Sequence, residues 1–129
     1  MPRKTILIVE DELVQLTMVA KLLKSADYDV MEARDGMTAI ALARKELPDL
    51  VLLDLGLPRG DGFHVMERLQ LLPYTAKIPV IVLSSRTPEE AEEPSRLAGA
   101  VAYLQKPVNT AKLLRVMAAT FGNLAMAAR

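Results

Sequence analysis

Five short apolar segments recur along the chain, and each is followed by a stretch with the apolar spacing of a helix. The segments are TILIV (5–9), DVMEA (29–33), LVLLD (50–54), VIVLS (80–84) and VAYL (101–104). Strands that alternate with helices favour a parallel sheet covered by helices on both faces, because parallel strands need crossover connections. The sequence therefore predicts an α/β fold with five strands and five helices.

Composition limits the classes of protein that this chain can belong to. It has 129 residues, 51% of them hydrophobic and 25% charged, as expected of one globular domain. We expect a single domain over 1–129, with an ordered core over about 5–125. Lys and Arg total 16 and so do Asp and Glu, so no overall basic field favours direct nucleic-acid binding.

Targeting segments and cysteines are missing from the sequence. The first apolar run, from Ile6 to Val9, is too short for a signal peptide, and no run approaches the roughly 18 apolar residues of a membrane span. There is no cysteine for disulfides or thiolate metal sites. We therefore expect a soluble, cytoplasmic protein without membrane contact.

Prolines mark the expected limits of several helices. Pro73 is expected to end the third helix, and the fifth helix should begin near Asn109. Pro88 stands at the expected first position of the fourth helix, where proline is favourable. Pro94 lies further in, where it removes a backbone hydrogen bond at a cost of about 3 kcal/mol. We expect the fourth helix to be short, bent or mobile.

Polar side chains follow every predicted strand except the second. These residues are Glu10 and Asp11 after the first strand, Asp54 ending the third, Ser84 ending the fourth and Lys106 after the fifth. The carboxyl ends of parallel strands lie at one edge of the sheet, where doubly wound folds bind their ligands. We therefore expect these side chains to converge.

The chemistry of the converging groups points to phosphoryl transfer. Three carboxylates repel one another unless a cation lies among them, and oxygen ligands suit Mg²⁺. A lysine and a serine hydroxyl supply the positive charge and the hydrogen bond that a phosphoryl group needs. A carboxylate can itself accept a phosphoryl group as a nucleophile, so Asp54 is predicted to be the acceptor.

Four segments, in order and at matching spacing, resemble a known family. ILIVEDE, DLGLPRGDG, IVLSS and AGAVAYLQKPV are similar to the motifs of receiver domains of two-component response regulators, and the resemblance covers almost the whole chain. It implies a flavodoxin-like, doubly wound sheet with strand order 2-1-3-4-5. It also implies that Asp54 is the phosphorylation site.

The resemblance assigns a metal site to the acidic residues. Glu10 and Asp11 would hold Mg²⁺ (or Mn²⁺) together with Asp54 and the backbone carbonyl of Gly56. Glycines and Pro58 in the segment 56–62 would shape the loop around the metal.

Further roles follow from the same resemblance. Ser84 would donate a hydrogen bond to the phosphoryl group, and Lys106 would pair with its oxygens. Tyr103 would be the aromatic switch that turns inward on activation, and the bond between Lys106 and Pro107 would be cis. Arg86, two residues after Ser84, could reach across the site.

The function implied is signalling controlled by phosphorylation. A sensor histidine kinase or a histidine phosphotransfer protein would donate the phosphoryl group. The chain would not be a classical enzyme, although it would catalyse its own phosphorylation and slow autodephosphorylation. The fourth helix, fifth strand and fifth helix would contact a downstream target or output domain. The chain could be a stand-alone regulator or a fragment of a larger regulator or hybrid kinase.

The sequence favours other interpretations of these residues less, because the polar groups occur together at one edge of the sheet. Each polar residue taken singly fits a helix start, a turn, a cap or a surface charge. A constitutive docking module needs no complete phosphorylation site. A haloacid-dehalogenase-like phosphatase carries a second aspartate two residues after the nucleophile, where this chain has Gly56. Val101 and Ala102 replace acidic residues common in receivers, which predicts a more apolar partner surface.

Overall fold

In the computed structural model of the protein, residues 2–57 and 61–127 are described. The elements are β1 (Thr5–Val9), α1 (Leu13–Ser25), β2 (Asp29–Ala33), α2 (Gly36–Glu46), β3 (Leu50–Asp54), α3 (Gly62–Gln70), α4 (Pro73–Ala76), β4 (Val80–Ser84), α5 (Pro88–Leu97), β5 (Ala102–Gln105) and α6 (Thr110–Ala127). Among the described residues, none of the helices is a candidate for a membrane span. Pro58 and Gly60, expected to shape the loop after β3, lie outside the described residues.

The five strands form one parallel sheet in the order β2-β1-β3-β4-β5, which confirms the predicted topology. The register aligns the strand ends: Val9 pairs with both Ala33 and Leu53, and Ser84 pairs with Gln105. Residues that directly follow these positions therefore emerge at one edge. The strand order reverses between β1 and β3, so the ends of these two strands flank the switch point of the fold.

Alternate residues of the strands build two separate cores, because successive side chains point to opposite faces of a sheet. One face carries Leu7, Val9, Val51, Leu53 and Val82 against the apolar sides of α2, α3 and α5. The other carries Ile6, Ile8, Leu50, Leu52 and Ile81 against α1 and α6. Strands buried on both faces explain the near-continuous apolar runs in the sequence.

The described chain contains six helices, where the sequence predicted five. Pro73, expected to end the third helix, instead begins the four-residue helix α4, while α3 already ends at Gln70. The hydroxyl of Thr75, which is 1% exposed, donates a 2.7 Å hydrogen bond to the carbonyl of Leu69. This bond fastens the extra turn to the end of α3. Proline at the first helical position lacks only an N–H that has no helical partner there.

The predicted fourth helix corresponds to α5, and it continues through Pro94 from Pro88 to Leu97. Pro94 therefore does not break the helix, although it cannot donate a hydrogen bond to the carbonyl one turn earlier. The hydroxyl of Ser95 donates to the carbonyl of Ala91 at 2.7 Å, inside the same turn. The expected bending and mobility of α5 stay predictions.

Candidate functional site

Three carboxylates meet at the carboxyl edge of the sheet. Glu10 and Asp11 follow β1, and Asp54 is the last residue of β3. One oxygen from each carboxylate lies within 4.8 Å of the others. Glu10 is 5% exposed and Asp54 is 8% exposed, so water screens their charges poorly. We call these three residues the acidic cluster.

Lys106 supplies the positive charge beside the acidic cluster. Its Nζ donates a 2.6 Å hydrogen bond to Oε1 of Glu10 and lies 3.4 Å from Oδ2 of Asp54. The Lys106 side chain is only 13% exposed. One ammonium thus faces three carboxylates, which leaves the site with an excess of negative charge.

Burial and the excess of negative charge at the site affect the pKa of Glu10. Burial raises the pKa of this carboxyl above its ordinary value, and the nearby Asp54 carboxylate raises the pKa further. The hydrogen bond and charge of Lys106 act in the opposite direction without cancelling the burial effect. An additional cation at the acidic cluster would relieve this unfavourable charge.

Backbone hydrogen bonds hold the site residues in place. The N–H of Glu10 donates to the carbonyl of Ala33 at 3.0 Å, which fastens the end of β1 to β2. The N–H of Gly56 donates to Oδ1 of Asp54 at 3.1 Å and so orients that carboxylate. The N–H of Lys106 donates to the carbonyl of Ser84 at 2.7 Å, which joins the ends of β4 and β5.

A short chain of hydrogen bonds leads away from the acidic cluster through the loop after β4. The Oγ of Ser84, which is 2% exposed, accepts from the N–H of Arg86 at 3.0 Å. The carbonyl of Arg86 accepts a 2.5 Å hydrogen bond from the hydroxyl of Tyr103. Tyr103 therefore does not lie at the acidic cluster, but two hydrogen bonds connect its hydroxyl to Ser84. The peptide bond between Lys106 and Pro107 is cis.

Arg34 also lies at the carboxyl edge of the sheet, although the sequence predicted no role for it. It follows β2, the one strand considered to end without useful chemistry, and its Nη2 donates a 3.0 Å hydrogen bond to the backbone carbonyl of Asp11. Arg34 thus helps to position the loop that carries Asp11. The position of Arg34 directly after DVMEA indicates such a role once β2 is known to pair with β1.

Two glycines near Asp54 have different reasons to lack a side chain. A Cβ on Gly62 would lie 2.9 Å from Cα of Leu55 and 3.0 Å from the carbonyl oxygen of Asp54, so the start of α3 packs directly on the backbone after β3. A Cβ on Gly56 would lie 3.7 Å from Oδ1 of Asp54, in ordinary contact. Gly62 therefore sets the approach of α3, while Gly56 keeps space open beside the carboxylate.

Comparison with known proteins decides the family. The model of the response regulator receiver domain matches residues 6–118, which is most of the chain. The chain belongs to the response regulator receiver domain family. A polar-differentiation response regulator, DivK of Brucella anthropi, is 30% identical over 120 residues that cover 93% of this chain and 98% of that protein.

Solved receiver structures share the fold. The chemotaxis response regulator CheY4 of Vibrio cholerae has a TM-score of 0.84 at 29% identity, covering 90% of this chain and 97% of that one. The receiver domain of a sensor histidine kinase from Pseudomonas aeruginosa has a TM-score of 0.82 at 30% identity, covering 89% and 94%. That receiver domain was crystallised with a magnesium ion coordinated in its active-site cleft.

Membership of the family establishes the general role of the chain. Receiver domains are signalling modules of two-component systems, regulated by phosphorylation and not classical enzymes. They interact with histidine kinases and with downstream effectors. The acidic cluster stands at the carboxyl edge of the sheet, which is where a doubly wound fold binds its ligands.

Proposed function

We propose that this receiver domain accepts a phosphoryl group on Asp54 from a phosphohistidine of a sensor histidine kinase or a histidine phosphotransfer protein. The arrangement of charges around Asp54 supports this proposal. Its carboxylate belongs to a cluster of three and has the ammonium of Lys106 at 3.4 Å. Such a site favours both a divalent cation and an anionic phosphoryl group.

The residues present fit Mg²⁺, or Mn²⁺ in its place. The acidic cluster offers three carboxylates with oxygens close enough to share one ion, and hard divalent cations prefer oxygen ligands. Glu10, Asp11, Asp54 and the backbone carbonyl of Gly56 would hold the ion. When bound, the ion neutralises negative charge on the carboxylates and on the phosphoryl oxygens.

The reaction itself needs little from the protein beyond position and charge. An oxygen of Asp54 attacks phosphorus, the P–N bond of the phosphohistidine breaks, and the imidazole keeps the electron pair and takes a proton from water. Lys106 pairs with a phosphoryl oxygen, and the hydroxyl of Ser84 donates to another. Attack by water later cleaves the acyl phosphate slowly, which restores the Asp54 carboxylate and releases phosphate.

Phosphorylation would then change the conformation of the loop after β4. Ser84 and Tyr103 are both hydrogen-bonded to the backbone of Arg86, so a shift of the Ser84 side chain toward phosphate would also move the loop that holds Tyr103. Tyr103 would turn inward, and the face formed by α5, β5 and α6 would change its surface. Leu97, at the end of α5, is 75% exposed, and Val101, just before β5, is 56% exposed. These exposed apolar side chains suit an apolar surface on a target or output domain.

The chain would act as one receiver domain over 1–129, with its ordered core over about 5–125. Either a stand-alone regulator or a receiver within a larger regulator or hybrid kinase is compatible with this activity. In both cases the partners are proteins, and nucleic acid and membrane are not contacted directly.

Intact mass spectrometry tests the proposal. The protein is incubated with acetyl phosphate with and without Mg²⁺, alongside D54N and the control D27N, which alters an aspartate side chain that is 85% exposed. We expect a Mg²⁺-dependent gain of one phosphoryl group in the wild type and in D27N but none in D54N. No gain with any donor would favour the constitutive docking module instead.

A further inference from the structure

A cleft between α2 and α3 lies outside the site described above. It has a volume of about 430 Å³ and is lined by Gly36, Met37, Ile40, Ala41, Arg44, His64 and Arg68. Residues four apart lie on the same side of a helix, so Ile40 and Arg44 face the cleft from α2, while His64 and Arg68 face it from α3. Two guanidinium groups and an imidazole therefore converge on one cleft.

Neither guanidinium has a protein partner in the described part of the chain. The Nε atoms of Arg44 and Arg68 are buried and donate no hydrogen bond, although buried polar atoms are nearly always satisfied. Neither arginine belongs to any of the ion pairs among the described residues, and no carboxylate lines the cleft. Two like charges without a counter-charge, each with a buried free donor, point to an anion that the cleft accepts.

The remaining walls of the cleft are apolar. Ile40 and Ala41 form part of the lining, and Met37 is 75% exposed at its rim. Small-molecule sites typically combine such apolar walls with a few convergent polar groups, in volumes of about 300–1,000 Å³. The arginine fork matches phosphate, phosphonate and carboxylate oxygens in a bidentate manner, whereas methionine and isoleucine accommodate an apolar body.

We propose that the α2–α3 cleft binds a small organic anion, with a phosphate-like or carboxylate head held by Arg44 and Arg68 and an apolar body against Met37 and Ile40. The site is separate from Asp54, and it would give the receiver domain a second input besides phosphorylation. A ligand here bridges two helices that pack on the same face of the sheet, and it removes the repulsion between their charges.

Nuclear magnetic resonance tests the proposal on the full chain without Mg²⁺. Phenylphosphonate, which combines an anionic head with an apolar ring, is titrated into ¹⁵N-labelled protein while the arginine Nε–H signals and the backbone amides are followed. We expect saturable shifts of the Arg44 and Arg68 Nε–H signals and of amides in α2 and α3. Inorganic phosphate and benzyl alcohol, which each supply half of the ligand, should bind at least about tenfold more weakly.

Variants show whether the arginines are responsible. R44Q and R68Q should each weaken binding by about tenfold, since each loses a charge-assisted hydrogen bond. R115Q removes the same charge from an exposed position on α6 and should bind like the wild type. R44K and R68K keep the positive charge but lose the planar fork, and should also bind more weakly.

Several outcomes would overturn the proposal. These are shifts that do not saturate, equal weakening in R115Q, and shifts confined to Asp54, Gly56 and Ser84, which would place the anion at the phosphorylation site. Binding of inorganic phosphate as tight as that of phenylphosphonate would contradict the role of the apolar wall.

Discussion

Lys106 and Glu10 are separated by 96 residues, yet the ammonium of the first donates a 2.6 Å hydrogen bond to the carboxylate of the second. The same ammonium lies 3.4 Å from Asp54, so one cation links the ends of β1, β3 and β5. The residues proposed to bind phosphate therefore also compensate each other's charge in the folded protein.

Removing Lys106 should destabilise the metal-free protein. In K106Q the carboxylates of Glu10 and Asp54 stay buried without their cation, and we expect a loss of about 2 kcal/mol in the free energy of unfolding. Urea denaturation in EDTA measures this loss. Saturating Mg²⁺ should stabilise K106Q more than the wild type, because the ion then replaces the missing charge.

The matched control is K112Q, which removes an exposed lysine near the start of α6 and should change stability by less than about 0.5 kcal/mol. Equal stability of K106Q and the wild type in EDTA would contradict the view that Lys106 compensates the acidic cluster.

Neutralising Glu10 should have the opposite effect at neutral pH. Since burial raises the pKa of Glu10 in the folded protein, its contribution to stability is most favourable below the ordinary value of 4.5 and is lost as the pH rises through the raised value. Without Mg²⁺ we expect E10Q to melt about 2–4 °C above the wild type at pH 7, and the difference to vanish near pH 4. Thermal melts across this pH range measure both. A lower melting temperature of E10Q at pH 7 would show that the bond to Lys106 outweighs burial.

Gly62 and Gly56 should respond differently to the same substitution. In G62A the new methyl group meets the backbone of Leu55 at 2.9 Å, so α3 has to move and the protein should lose about 1–3 kcal/mol of stability. In G56A the nearest atom is 3.7 Å away, and the change should stay within about 0.5 kcal/mol. Urea denaturation of both variants measures the contrast, and equal losses would contradict the close packing assigned to Gly62.

Pro94 should make α5 less protected than the other helices. We expect P94A to restore the hydrogen bond to the carbonyl of Glu90 and to slow amide hydrogen exchange in α5 by at least about tenfold. P88A is the control, because proline at the first helical position removes no helical bond. If α5 of the wild type already exchanges as slowly as α3, the predicted mobility is wrong.

Much of the fold follows from the sequence because strands buried on both faces leave long apolar runs that few other structures produce. The strand order and the receiver family came from the four motifs together, and both are confirmed. The polar residues after the strands also indicated where the site would lie, since parallel strands all end at one edge.

Other features depend on contacts that no local pattern reveals. Pro73 fits the end of one helix as well as the start of another, and the bond from Thr75 to Leu69 that fastens the second helix to the first is not visible in the local sequence. Arg34 acquires its role from a contact with Asp11, 23 residues away. Arg44 and Arg68 line the same cleft only because α2 and α3 pack side by side, which the local sequence does not reveal.

Mapping the modified residue shows whether Asp54 itself carries the phosphoryl group. Protein phosphorylated with acetyl phosphate and Mg²⁺ is reduced with sodium borohydride, which converts an aspartyl phosphate to homoserine, and its peptides are sequenced by mass spectrometry. We expect homoserine at position 54 of the wild type and nowhere in D54N. Homoserine at position 11 instead, or a phosphorylated protein with aspartate unchanged at position 54, would contradict this expectation.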